Sequence, residues 1–257
     1  MKIGIVTGAS SGLGREFVMQ IAKKEKELEE IWIIARRKER LARLQKVCPV
    51  RLRILPLDLT EASAITELER LLAVHEPDVR LLVNAAGFGK IGNYKDVPHG
   101  ESARMIALNC TAPTEITQIC LPYMQRGSRI LMICSTAAFQ PFPYLNVYAA
   151  SKAFLYRYSR ALRVELRPRR IVVTAVCPYW IKDTEFIPLA KSTDQGHSLR
   201  HYPLSSRVRS VASHALADSR LGMAVSTPGL VCTLHRIAAK CIPSALMMQL
   251  WQLLRRV

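Results

Sequence analysis

No CxxC pair, no internal repeat, no low-complexity linker and no apolar run long enough to span a bilayer occurs in this 257-residue sequence. The first absence excludes a thiol-based metal or redox motif. Its seven cysteines (48, 110, 120, 134, 177, 232 and 241) are odd in number and mostly lie in apolar runs such as RILMICS, the pattern of reduced, buried thiols. The lack of repeats and linkers argues against an array of modules. A membrane-spanning helix needs roughly 20 apolar residues, and a secretory leader needs an uninterrupted apolar core. The N-terminal MKIGIVTGASSG breaks at glycines after one short run. A cytoplasmic protein is the expectation. Acidic residues are also scarce, 20 Asp and Glu against 37 Lys and Arg, for a net charge of +17. That excess favours acidic ligands and says nothing about the fold.

What is present is a composition of 49% hydrophobic and 22% charged residues. A chain of this length buries about 70–75% of its unfolded surface, enough for one core, so residues 1–257 read as a single domain. Apolar runs at 2–6, 31–35, 52–57, 80–85, 129–134 and 171–176 alternate with helix-like segments at 12–28, 38–47, 60–75, 100–125 and 147–167. Continuous apolar strands separated by helices predict a parallel sheet covered on both faces, a doubly wound, Rossmann-like α/β fold. Past residue 177 the rhythm is lost. Residues 178–228 read as loops and short helices over the carboxyl edge of the sheet, and Pro243 splits the segment from Gly229 onward into two amphipathic helices.

Chemistry-bearing motifs fall at the strand ends. The first strand runs into TGASSGLG, with Gly8, Gly12 and Gly14 ahead of a helix. Glycines permit a tight turn and close approach to a pyrophosphate, and the helix start offers free N–H groups. After the second strand, where an NAD-binding fold presents a carboxylate to the ribose, the sequence has Ala35, Arg36 and Arg37. Guanidinium groups suit a 2′-phosphate and favour NADP(H), unless they belong to a solvated basic helix start with Lys38, Arg40 and Arg43. There follow LDLT (57–60), NAAG (84–87), LNCTA (108–112), MICST with Ser135, and NVYAASKAF with Tyr148 and Lys152. Positions i and i+4 share a helix face, so the Lys152 ammonium is expected beside the Tyr148 phenol, where it lowers a pKa that starts near ~10.

In order and spacing, these motifs resemble the short-chain dehydrogenase/reductase family over residues 1 to about 178. The NADP-preferring subgroup that contains hydroxysteroid and ketoacyl reductases is the most similar. The resemblance implies a catalytic set of Asn109, Ser135, Tyr148 and Lys152. It implies that Gly8, Ser10, Ser11, Gly12, Leu13, Gly14, Arg36, Arg37, Asp58, Leu59, Asn84, Ala85, Ala86 and Gly87 line an NADP(H) site, with Tyr148 and Lys152 at the nicotinamide ribose. Tyr148 would serve as proton donor or acceptor, Ser135 would polarise a carbonyl, and Asn109 would hold a water linking Lys152 to solvent.

The chain departs from the family after the sixth strand, where Pro-Gly and a threonine are usual. Here CPYWIKDTEF keeps Pro178, replaces the glycine with Tyr179 and puts Thr184 about one place late. Pro178, Ile181 and Thr184 remain the expected nicotinamide contacts, and Tyr179 and Trp180 are either a substrate wall or core filling. The C-terminal apolar face with Leu246, Leu250, Trp251 and Leu254 suits packing, a lid, a subunit contact or a membrane-surface helix. His197 and His201 lack a third ligand and do not read as a metal site. The arginine stripe 157, 160, 163, 167 reads as solvated or subunit-facing, so no nucleic acid is expected.

The expected activity is NADP(H)-dependent interconversion of a ketone and a secondary alcohol on a hydrophobic, steroid-like or fatty-acyl substrate. Two alternatives stand beside it: a 3-oxoacyl reductase acting on an acidic carrier protein, and a non-catalytic NADP(H)-binding sensor. The resemblance also implies a homodimer or homotetramer joined through the helices at 100–125 and 147–167.

Overall fold

The computed structural model describes residues 1–196 and 204–256. Its chain order begins β1 (Lys2–Thr7), α1 (Gly12–Lys24), β2 (Glu30–Ile34), α2 (Lys38–Gln45), β3 (Arg51–Leu55), α3 (Ala62–His75) and β4 (Asp78–Asn84). There follow α4 (His99–Ile106), α5 (Ala112–Cys120), β5 (Arg129–Ile133), α6 (Asn146–Glu165), β6 (Val172–Val176) and α7 (Phe186–Ala190). The chain ends with α8 (Val208–Arg220), β7 (Val225–Ser226), α9 (Leu230–Cys241) and α10 (Ser244–Arg256). All strand pairings are parallel, in the order β3-β2-β1-β4-β5-β6-β7. The order reverses between β1 and β4, and in sheets of this kind a ligand crevice opens at that point, beyond the strands' carboxyl ends.

Alternation along the strands sends side chains to two cores. Ile3, Ile5, Trp32, Ile34 and Leu82 pack with Leu68 and Leu72 of α3, Ile116 of α5, and Leu155 and Leu162 of α6. Val6, Ile31, Ile33, Val83 and Leu131 pack with Phe17 and Ile21 of α1, Leu41 of α2, and Ala212 and Leu216 of α8. Both faces of the sheet are therefore covered, which is why its strands read as unbroken apolar runs.

Three expectations need correction. Residues 208–220 are not a loop over the carboxyl edge but α8, a covering helix on the second face. Its buried seam is mainly alanine and valine, and it is tied to α1 where Gln20 Nε2 donates to Arg209 O at 2.9 Å and Lys24 Nζ to Ser213 Oγ at 3.0 Å. A seventh strand, β7, is only two residues long, pairing Val225 with Ala175. The continuous helix expected over 100–125 is α4 and α5 separated by a π-helical turn at Ala107–Thr111. Pro113 explains the break, since it cannot donate to the carbonyl four residues back, that of Asn109, and its ring crowds that carbonyl. All seven cysteines are free; five are buried, Cys48 is half-buried and, contrary to expectation, Cys241 is exposed. Among the described residues no helix is long and apolar enough to cross a membrane. His197 and His201 lie outside the described residues.

Candidate active site

The crevice at the carboxyl ends of β1, β4 and β5 is a cavity of about 760 Å³ that runs from the glycine loop to α9 and α10. The glycine loop can turn here only because Gly8 and Gly14 lack side chains. Gly8 adopts φ +69°, with a hypothetical Cβ 2.9 Å from the Ala85 carbonyl, and a Cβ on Gly14 would stand 2.3 Å from the Gly8 carbonyl. Thr7 Oγ1 accepts from the N–H groups of both Ala85 and Ala86 at 3.0 Å, pinning the end of β4 beside the loop. Ser11 precedes α1 without capping it, so the first-turn N–H groups have no side-chain cap. Such a helix start attracts a phosphate.

The two serine hydroxyls of the loop are instead bound from outside. Arg37 donates to Ser10 Oγ (3.2 and 3.1 Å) and Ser11 Oγ (2.7 Å), and its other nitrogen pairs with Glu185 at 2.9 Å. Arg40 also pairs with Glu185, so a carboxylate from the segment after β6 is held between two guanidinium groups. Those hydrogen bonds, from Arg40 first and then Arg37, keep the Glu185 carboxyl below its usual range. Arg36 reaches toward Asp58 at 3.6 Å. Burial would raise Asp58, but hydrogen bonds from the Thr60 N–H and hydroxyl, together with Arg36 and Arg104, outweigh it and keep the carboxyl low.

Gly8, Ser10, Ser11, Gly12, Leu13, Gly14, Arg36, Arg37, Asp58, Leu59, Ala85, Ala86, Gly87, Pro178, Ile181 and Thr184 all line the cavity, as expected. Asn84 does not. Its side chain turns into the sheet, donating to Thr117 Oγ1 at 3.0 Å, and its Oδ1 is buried without a partner among the described residues. An asparagine ending a buried strand points to one face of the sheet by alternation, and that face is the core.

The chemical groups converge where β4 and β5 end. Ser135 is in extended backbone after β5, its Oγ accepting from Ala137 N–H at 3.1 Å. Tyr148 and Lys152, one turn apart on α6, are both buried. Lys152 Nζ donates to Ile133 O at 2.8 Å and lies 5.7 Å from the centroid of the Tyr148 ring. The π-turn presents Asn109, whose Oδ1 accepts from Phe88 N–H (3.1 Å) while Nδ2 donates to Phe88 O (2.9 Å) and Ser151 Oγ (3.0 Å). A Cβ on Gly87 would stand 2.9 Å from Asn109 Oδ1 and 3.3 Å from Lys152 Nζ, so only glycine lets these two side chains flank the same stretch of backbone.

Electrostatics at Tyr148 differ from the sequence expectation. Burial dominates and pushes the phenol well above its ordinary value, with Ser135 acting weakly in the opposite direction. Burial likewise lowers the Lys152 ammonium. The i, i+4 spacing set the shared face, but desolvation governs the phenol.

The far end of the cavity is apolar and aromatic: Tyr179, Trp180 and Trp251, which the sequence offered as wall or lid among other readings, meet Phe142 and Phe186, which it did not mark. Phe186 lies 5.3 Å from the Tyr148 ring, Trp180 6.4 Å from Phe186, and Phe142 4.8 Å from Trp251. Tyr179 and Trp180 are thus wall residues. Trp251 Nε1 donates to Pro143 O at 3.3 Å, fixing α10 over the opening, while His235 of α9 bonds Gln140 Oε1 at 3.0 Å and burial holds its imidazole pKa below normal. In the arginine stripe, Arg163 is tied to Val173 O and Gly222 O, a structural brace.

Comparison with known proteins agrees with this geometry. The short chain dehydrogenase family matches residues 2–194. A very-long-chain 3-oxoacyl-CoA reductase from Emericella nidulans is 34% identical over 187 residues, 69% of this chain and 53% of that protein. Mouse 17-beta-hydroxysteroid dehydrogenase type 3 is 27% identical, across 91% of this chain and 73% of its own length. A probable short-chain type dehydrogenase/reductase of Helicobacter pylori is 29% identical over 70% of this chain and 65% of its own. The chain thus spans only part of these relatives. Among solved structures, a short-chain dehydrogenase from Sphingobium yanoikuyae in complex with NADPH superposes with a TM-score of 0.79 at 28% identity, covering 96% of this chain and 95% of that one. A bulky-bulky ketone specific alcohol dehydrogenase from Comamonas testosteroni gives 0.75 at 25% identity, covering 96% and 94%. With three quarters of its length matched by one family, and with that family's motifs gathered at one crevice, the chain belongs to the short-chain dehydrogenases.

Proposed function

We propose that this chain is an NADP(H)-dependent oxidoreductase that interconverts bulky, apolar ketones and secondary alcohols. The observation that carries the reading is the convergence of Ser135, Tyr148 and Lys152 on one cavity, between a glycine loop and an aromatic chamber, with Asn109 buried behind them against Phe88 and Ser151. The glycine loop fits a dinucleotide, since Gly8, Gly12 and Gly14 line the cavity where α1 begins without a side-chain cap. Arg36 and Arg37, with Ser10 and Ser11, supply donors for a 2′-phosphate, and the NADPH complex of the Sphingobium relative supports that preference. Apolar walls, and relatives described by bulky ketones, hydroxysteroids and very-long-chain oxoacyl groups, support a large hydrophobic substrate.

A nicotinamide held between the glycine loop and Tyr148 and Lys152 would supply the hydride for the carbonyl carbon. Ser135 orients the carbonyl and polarises its oxygen through its hydroxyl. Tyr148, kept neutral by burial, delivers its phenolic proton to that oxygen as negative charge develops. Lys152, fixed by Ile133 O, stabilises the transient phenolate, and Asn109 holds the polar passage by which the proton is replaced. Replacement of Tyr148 by Phe is expected to abolish NADPH-dependent ketone reduction while leaving NADPH binding intact. Turnover of any ketone by Tyr148→Phe at the wild-type rate would sink this assignment.

A further inference from the structure

Helices α9 and α10 carry apolar side chains on two sides, and the cavity uses one side together with Leu250 at the edge of the other. Facing inward are Val231 and His235 of α9, and Met247 and Trp251 of α10. Facing outward on α9 are Leu230, Leu234 and Ile237, 73%, 54% and 55% exposed, at i, i+4 and i+7. On α10, Leu246, Leu250 and Leu253 repeat that spacing at 48%, 41% and 60% exposure. Positions so spaced form one face of a helix. Each helix therefore leaves an unpartnered apolar stripe in water, which a protein normally avoids unless the stripe meets something.

Charge identifies what it meets. No Asp or Glu follows Asp218, whereas Arg236 and Lys240 of α9 and, by sequence, Arg255 and Arg256 do, in a chain of net charge +17. A second copy of this chain would bring a like-charged, carboxylate-free segment against its own kind. Anionic headgroups above a hydrocarbon layer complement both the charge and the stripe. Leu250 belongs to the outer stripe and also lines the cavity, as does Leu189 of α7, 47% exposed at the same opening.

We propose that the outer faces of α9 and α10 seat this chain peripherally on an anionic lipid surface. The leucines insert shallowly, the basic side chains meet the headgroups, and the mouth of the cavity opens toward the layer. Delivery of an apolar ketone from that layer would follow and rests on the reductase reading; the docking itself does not.

The test is flotation of the purified chain with vesicles of phosphatidylcholine alone and of phosphatidylcholine mixed equally with phosphatidylglycerol, at low and high salt. Expected is co-flotation with the anionic vesicles alone, weakened by salt, and a loss of about tenfold in partitioning for Leu234→Asp/Leu253→Asp. Neither leucine lines the cavity, so thermal stability and turnover of a water-soluble ketone should be unchanged in that variant. Leu234→Ser alone provides the same comparison if the double variant does not fold. Failure of the wild type to float overturns the proposal. So does undiminished flotation of the variants, which would leave charge alone as the cause, or conversion of an oligomer to monomers by Leu234→Asp/Leu253→Asp in light scattering, which would make the stripe a contact between copies.

Discussion

Replacing Ser135 by Ala separates the structural contact of its hydroxyl from the catalytic role proposed for it. The Oγ accepts from Ala137 N–H at 3.1 Å, capping the short turn Thr136–Phe139, and its proton is free to point toward Tyr148 and a substrate carbonyl. Loss of such a cap costs about 0.5–2 kcal/mol, and in a chain of this size each kcal/mol shifts Tm by about 2–4 °C. Removing a donor to a developing oxyanion lowers kcat about 100- to 1,000-fold, or about 2.7–4 kcal/mol. The chemical effect thus exceeds the structural one. Calorimetry would read the small Tm decrease and NADPH absorbance the large rate loss, with KM for NADPH unchanged. Ser135→Thr should recover most of both, because the extended backbone at φ −168° and ψ 161° accepts a β-branched residue and the hydroxyl is retained. A Ser135→Ala enzyme within about threefold of the wild-type kcat at normal Tm would refute the reasoning, because a donor in the reaction is worth far more than that.

Three other predictions address the same crevice and its surroundings. Arg36→Asp should lower the NADPH-to-NADH ratio of kcat/KM at least about tenfold, the scale of one lost charge-assisted hydrogen bond, and an unchanged ratio would show that Arg37 alone selects. Subtracting the ultraviolet titration of Tyr148→Phe from that of the wild type should show no Tyr148 phenolate below about pH 10, the ordinary phenol range. A folded pKa above the unfolded one stabilises the fold below that range, with the contribution lost as pH rises through the folded value; a phenolate signal near neutrality would mean that Lys152, not burial, governs the phenol. If the outer faces of α4 and α6 join subunits, their exposed Ile106, Phe154 and Val164 are the contact, and Phe154→Glu should reduce the mass seen in light scattering without loss of helicity, whereas an unchanged mass excludes that face.

Sequence reading works for this fold wherever burial is two-sided. The six long strands lie within about two residues of their expected ends, and most of them are apolar on both faces, leaving little freedom in where the run begins or stops; the edge strand β3, with Arg51 and Arg53, is the exception. It falters where packing is done by small side chains. The seam of α8 is Val211, Ala212, Ala215, Leu216 and Ser219, whose weak hydrophobic signal is sufficient in space because α1 approaches closely. β7 is too short for any period to register. The interruption between α4 and α5 was visible in Pro113, but the apolar period continues through it, and periodicity alone does not distinguish a π-turn from an unbroken helix.

At the site the same division has a chemical consequence. Motifs confined to one turn or one helix, such as the glycine loop or Tyr148 with Lys152, could be located because local geometry puts their residues together. Their energetics could not, since the pKa of a phenol depends on everything within several ångströms. Here that surrounding is Phe186, Gly89 and buried backbone, with a Gly89 Cβ expected only 2.8 Å from the Tyr148 ring. Asn84 shows the converse: its motif marked the right strand end, yet alternation carried its side chain into the core. Glu185 lay in a segment without a recognisable pattern and is nevertheless the carboxylate held by Arg37 and Arg40. Any 2′-phosphate bound at Arg37 must compete with that carboxylate, so the proposed preference for NADP(H) involves the segment after β6 as well as the arginines after β2.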